Sequence, residues 1–170
     1  MPQKDLLLPW RTVLDNVILG PEIEGVPRPQ ARAQAQALLP LFGLAGFERS
    51  YPAVLSGGMR QRAAFLRAVL QQRPAILLDE PFGALDALTR AALQEWLLDV
   101  WARFRQTILF ITHDVEEAIF LSDRVYVLTA RPGRVCLGLE VDLPRPRERG
   151  MVTTGAFSAL KERLLAALAC

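Results

Sequence analysis

Up to Leu70 the apolar positions of this chain recur every three or four residues; beyond Pro74 they gather into short unbroken runs. The first habit belongs to helices that bury one stripe, the second to strands covered on both faces. Residues 1–8 read as a loop. A short helix is predicted over 9–19, with Pro9 suited to its first turn. Pro21, Gly25, Pro27 and Pro29 make 20–29 a connector. Apolar residues at 31, 35, 38 and 42 predict a helix over 30–42 that Gly43 stops. Residues 44–56 are irregular. A further helix is predicted over 58–72, with Met59, Ala63, Leu66 and Leu70 on one face.

After Pro74 the pattern changes. Ala75–Asp79 and 106–112 read as strands buried on both faces, and 124–129 as a third strand. Ala87–Phe104 and Val115–Leu121 read as the helices between them. The stripe of the longer one is Leu93, Leu97, Val100 (or Trp101) and Phe104. Pro132-Gly133 marks a turn before an edge strand over 134–141, and a Pro/Arg-rich connector leads to an amphipathic helix over 157–168. Alternation of strand and helix predicts an α/β fold with a parallel sheet. There is no internal repeat.

Composition narrows the class. The 170 residues amount to about one domain, and 51% hydrophobic with 22% charged residues suits a folded globular protein. A net charge of +2 without a basic stripe gives no support to nucleic acid as a partner. No apolar run approaches the roughly 20 residues that span a bilayer. Asp5 and Pro9 interrupt the N-terminal apolar stretch, so no signal peptide is expected. Cys136 and Cys170 form no C-x-x-C pair and read as free thiols in a reducing cytoplasm.

Candidate chemistry lies in four places. Ser56-Gly57-Gly58 opens a helix; glycines let the backbone approach a ligand, and the first-turn N–H groups favour an anion. Its plainer reading is an N-cap. Asp79 and Glu80 end a strand on the side where open α/β sheets bind ligands. Asp79 is suited to Mg²⁺ through water and Glu80 to polarising an attacking water; the alternative is a solvated strand end. His113, the single histidine, follows another strand and could bond a terminal phosphate, or serve structure alone. Asp86 precedes the long helix and reads most simply as a helix-start acid.

These residues, in this order, resemble the nucleotide-binding domain of ABC transporters. The stretch 55–62 (LSGGMRQR) is similar to the family's signature motif, and 76–80 (ILLDE) to Walker B with its catalytic glutamate. The stretch 83–86 (GALD) resembles the D-loop, His113 the switch histidine, and Gln3 the Q-loop glutamine. The stretches LLPWRTV at 7–13 and ARPGR at 130–134 resemble the nitrate, sulfonate and taurine import group, a look shared by importers of pyrimidine-type vitamin precursors.

The resemblance implies a RecA-like parallel sheet of the P-loop NTPase class plus the ABC helical subdomain. Residues 1–72 would hold the Q-loop, helical subdomain and signature helix; 73–142 the core with Walker B, D-loop and H-loop; 143–170 a connector and terminal helix. It implies ATP and Mg²⁺ as cofactors and ATP hydrolysis coupled to solute uptake. Glu80, His113 and Gln3 would be catalytic, with Asp79 and Gln3 serving the metal. Ser56, Gly57, Gly58, Gln61 and Asp86 would contact nucleotide, across a head-to-tail dimer in the case of the signature and D-loop residues. The partners implied are a second ATPase subunit, a transmembrane permease and, indirectly, a substrate-binding protein, at the cytoplasmic face of the inner membrane.

No G-x-x-x-x-G-K-[ST] loop is found in the sequence. The expectation that follows is a fragment: the C-terminal portion of a nucleotide-binding domain lacking the Walker A part. Such a chain would be inactive or nearly so alone. The alternatives are a non-catalytic remnant that only binds partner subunits and a chromosome-maintenance or repair ATPase. The latter fits less well, because no sustained heptads precede residue 55.

Overall fold

A computed structural model describes Met1 and residues 4–168. The chain divides into two compact units, Met1–Leu93 with Val100–Ile111, and Gln94–Asp99 with Thr112–Cys170.

The first unit begins with helices α1 (Val13–Val17), α2 (Leu19–Ile23) and α3 (Arg28–Leu38). A 3-10 turn at Pro52–Val54 leads to α4 (Gly57–Val69). Strands β1 (Ala75–Asp79) and β2 (Thr107–Ile111) complete it, with both ends of the long helix α5 (Ala87–Phe104). The helical stripes meet in a core of Val13, Val17, Ile18, Ala31, Ala35, Leu39, Phe42, Leu44, Ala63 and Leu66, each no more than 1% exposed. Phe42 and Phe65 stack at 6.2 Å. Full burial stabilises each large apolar side chain by about 1.5–3 kcal/mol.

Three expectations for this region need correction. The first helix starts at Val13, not Pro9, because Asn16 holds the preceding residues as a turn. Its side-chain carbonyl accepts the Leu8 N–H at 2.7 Å. Its amide donates to the carbonyls of Leu8, Arg11 and Thr12 at 3.0–3.1 Å. Thr12 then caps α1 by accepting the Asp15 N–H at 3.2 Å. The stretch 20–29 is also more helical than expected. Pro21 and Pro29 fall in the first turns of α2 and α3, where a backbone N–H has no helical acceptor to lose. The helix expected to run to Phe42 ends instead at Leu38, and Gly43 lies in the turns that follow, with a φ of +63° that a side chain would disfavour.

β1 and β2 pair in parallel, Ala75 opposite Thr107 through Asp79 opposite Ile111. The Met1 carbonyl accepts the Asp79 N–H at 2.9 Å. Burial on both faces does not hold among the described residues. Ile76 and Leu78 are covered, while Leu77, Leu109 and Ile111 are about 60% exposed.

The second unit holds the middle of α5, then α6 (Val115–Leu121), β3 (Arg124–Leu128), β4 (Val135–Glu140), a 3-10 turn at Arg149–Thr153 and α7 (Gly155–Leu168). β3 was expected in the parallel sheet; it pairs instead with β4, antiparallel, with an irregularity at Val127/Leu128. Ile119, Phe120, Leu139, Phe157 and Leu164 form the apolar centre of this unit. Cys136 is a free, exposed thiol, and Cys170 lies outside the described residues. Among the described residues no helix is long and apolar enough to cross a membrane.

Candidate functional site

Ser56 is the N-cap of α4: its backbone is extended and its hydroxyl accepts the Met59 N–H at 3.3 Å. Beyond that bond, the open N–H groups of the first turn and the positive end of a 13-residue helix make the tip attractive to an anion. Gly58 is needed for packing as well. A Cβ there would lie 3.1 Å from the Thr89 methyl, tighter than ordinary contact. That approach sets the start of α5 against the start of α4, so Asp86 and Ser56–Gly58 belong to two neighbouring helix tips. Gln61, one turn along α4, is buried rather than open at the tip.

Asp86 is the N-cap of α5 and accepts the N–H groups of Leu88 at 3.1 Å and Thr89 at 3.0 Å. A bond from the Thr89 hydroxyl, followed by these backbone bonds, holds its carboxyl below the usual range. The helix-start reading of Asp86 is thus realised in the geometry.

Asp79 closes β1 and is exposed. Glu80 follows it with a φ of +42°. A residue bearing a Cβ adopts that left-handed backbone at a cost of about 1–2 kcal/mol. The turn is held from both sides: the Glu80 N–H donates to Ile111 at 2.9 Å, and the Glu80 carbonyl accepts from Gly83 at 3.2 Å. Pro81 and Phe82 are buried just behind. The chain therefore turns sharply at the carboxyl end of β1, next to the end of β2, and leaves Glu80 half-buried there.

His113 belongs to the second unit. It is exposed, two residues past β2 and one before Asp114, the N-cap of α6. Gln3 lies outside the described residues. So the first unit sets the α4 tip beside the α5 cap, and carries the Asp79–Glu80 turn at the carboxyl end of β1.

Sequence reasoning missed several polar groups that the fold buries: Asn16, Gln94, Glu117 and Arg147. The last lies in the segment read only as a Pro/Arg-rich connector. Its signal was an arginine at every second position, 145, 147 and 149.

Residues 1–83 match the family model described as ABC transporter. The formylaminopyrimidine import ATP-binding protein ThiZ of Halalkalibacterium halodurans is 46% identical over 172 residues, which cover 99% of this chain and 68% of that protein. The taurine import ATP-binding protein TauB of Rhizobium johnstonii is 44% identical, over 98% of this chain and 65% of that one. Among solved structures, the dimeric post-hydrolysis state of the ATP-binding cassette MJ0796 bound to ADP and Pi matches with a TM-score of 0.64 at 28% identity. That match covers 84% of this chain and 62% of the other. The chain spans 60–68% of the length of the curated relatives it matches. The α/β fold with its parallel strands and flanking helices is that of the P-loop ATPase class.

These matches to ATP-binding proteins run against the expectation of an inactive fragment. The family model aligns from residue 1, and the relatives align across 96–99% of the chain. The expectation of an inactive fragment is therefore withdrawn.

Proposed function

The chain belongs to the ABC transporter family, and from that premise we propose that it is the ATP-binding and ATP-hydrolysing subunit of an importer. Its cargo would be a small solute of the sulfonate, taurine or pyrimidine-precursor kind, in line with the names of its relatives. ATP and Mg²⁺ binding is a defining property of the family. The reading is supported by two separate features of the first unit, a glycine-opened helix tip and two adjacent carboxylates at a strand end, the second held in a left-handed turn.

In this reading two ATPase subunits close on two ATP molecules. Ser56, Gly57 and Gly58 present backbone N–H groups and a hydroxyl to the γ-phosphate of the nucleotide held by the opposite subunit. Buried Gln61 supports that tip, and Asp86 keeps the neighbouring tip in register with it. Glu80 accepts a proton from the attacking water, His113 bonds the terminal phosphate, and Gln3 senses the metal and water. Asp79, an exposed carboxylate, would hold Mg²⁺ through water. When bound, the ion would supply positive charge against the nucleotide's phosphates. Residues 1–72 would provide the helical surface that meets the permease, 73–142 the catalytic core, and 143–170 the tail. The subunit would sit peripherally at the cytoplasmic face of the membrane, held there by the permease, with a binding protein delivering the solute.

The test is Glu80→Gln in the transporter assembled from the full-length protein. Loss of a general base lowers ATP turnover by about 10²-fold or more. ATP binding should persist, and sedimentation with ATP should show more dimer. Turnover that survives the substitution would remove Glu80 from the mechanism and this reading with it.

A further inference from the structure

The tail segment that sequence reasoning treated as a connector grips α6 along its length. Arg147 is 6% exposed and lies at the carboxyl end of that helix. Its guanidinium donates to the carbonyls of Ile119 at 2.9 Å, Phe120 at 3.2 Å and Ser122 at 2.5 Å. It reaches Val141 at 3.4 Å, and Asp123 lies 3.7 Å away. Arg145 adds bonds to the Leu121 carbonyl at 3.2 Å and the Asp123 carboxylate at 2.7 Å. Carbonyls in a helix's last turn lack partners within the helix, and a cation there is doubly favoured. Burial pushes the Arg147 guanidinium down to about 10, with Arg145 contributing, so it stays charged at neutral pH.

Two residues on, Arg149 reaches the other end of the same helix. It donates to the Gln94 carbonyl at 2.6 Å, and Gln94 donates in turn to the Glu117 carboxylate at 2.8 Å. Gln94 and Glu117 are both buried, at 4% and 5% exposure. The Arg149 guanidinium also stacks 4.7 Å over the Phe120 ring and pairs with Glu95 at 3.2 Å. Glu117 is in the first turn of α6, where its N–H donates to the Asp114 carboxylate at 3.1 Å. Asp114 is itself tied by its N–H to the Thr112 hydroxyl at 3.0 Å. His113 stands between those two tied residues.

We propose that Arg147 and Arg149, the latter through Gln94 and Glu117, are positioning residues for His113. They fix α6 at both ends, and the capped start of α6 fixes the backbone that presents the imidazole. A buried polar chain that is bonded at each link has one low-energy arrangement, so the helix it holds is not free to slide or rotate. This rests on the proposed role of His113 in hydrolysis for its consequence, though not for its geometry. It gives the tail a part in the reaction without touching substrate.

His113 is the one histidine of the sequence, so a histidine-labelled chain gives a single imidazole resonance to follow. Arg149→Met and Arg147→Met should shift, split or broaden that resonance in the full chain while circular dichroism stays native. In the assembled transporter, ATP turnover should fall about tenfold, since small displacements of a reacting group are costly to rate, with KM for ATP changed less than about twofold. Arg147→Lys should restore part of the turnover. Arg124→Gln, which breaks exposed bonds to Glu140 and the Tyr126 hydroxyl away from α6, should leave resonance and turnover unchanged. If Arg147→Met does not fold, the more exposed Arg149→Met decides. An unmoved His113 resonance in a folded Arg149→Met chain overturns the proposal, even where turnover falls. A moved resonance with undiminished turnover upholds the positioning and refutes the catalytic role of His113.

Discussion

The helices before Leu70 and the strand pair β1–β2 are both built from apolar residues, but they end up covered to very different degrees. In the helical region Phe42, Leu39, Leu66 and Val17 are fully buried by elements within about fifty residues of each other in sequence. In the strand pair, Leu78 is buried while its neighbour Leu77 is 62% exposed. The difference is geometric. A helix turns one stripe inward and short connections bring covering helices to it, so local sequence suffices. A strand sends alternate residues to opposite faces, and each face needs its own cover from elsewhere.

The comparison breaks if the two regions respond alike to truncation. Phe42→Ala should lower unfolding free energy by about 3–5 kcal/mol, because the stacked Phe65 cannot collapse into the space left. Leu77→Ala should cost less than about 1 kcal/mol, the usual range for an open position. Urea unfolding of both variants checks this. A loss at Leu77 equal to that at Phe42 would mean that the open face of β1 is covered in solution.

The same geometry explains which features could be read in advance. The bounds of Ala87–Phe104 and Val115–Leu121 followed from their apolar spacing, and both helices have an acid N-cap, Asp86 and Asp114, at a recognisable place. The α4 tip and the acid-ended strand were equally visible, since Ser-Gly-Gly and Asp-Glu are local strings. Burial of one face of β1–β2 was not, because an unbroken apolar run does not say which face finds a partner. Nor was the pairing of β3 with β4 rather than with the parallel strands. The start of α1 was hidden because Asn16 controls residues up to eight positions earlier. Arg147 was hidden for the same reason at longer range: its acceptors lie at 119, 120 and 122.

Asn16 also qualifies the idea that the helical region is held by apolar stripes alone. It is fully buried and makes four bonds to the turn before α1. Asn16→Leu would keep the volume and leave the Leu8 N–H and three carbonyls without that partner. Water reaches part of this turn, so the expected loss is about 2–3 kcal/mol, the scale of one or two buried groups left unpaired. Trp10, exposed on the same turn, should show faster anisotropy decay once Trp96 and Trp101 are replaced by Phe. Unfolding free energy within about 0.5 kcal/mol of the parent would show that the apolar stripes position the turn unaided.

The smallest effect tests whether the surface of the helical region adds to its core. Asp15 accepts from Arg32 at 2.7 Å and from Arg28 at 3.0 Å. The bond from Arg32 is the main reason that its carboxyl is held below the ordinary range. A carboxyl depressed in the folded state stabilises fully above its unfolded value, and that stabilisation fades as pH falls through the folded one. Asp15→Asn should therefore lower stability by up to about 1 kcal/mol at pH 7, less in high salt because these pairs are partly exposed. The gap between parent and variant should narrow once pH drops below about 4, where the unfolded carboxyl takes up its proton. An equal gap at pH 7 and pH 3 would assign the effect to the first turn of α1 rather than to the charge, and would leave the core as the sole source of the region's advantage over the strands.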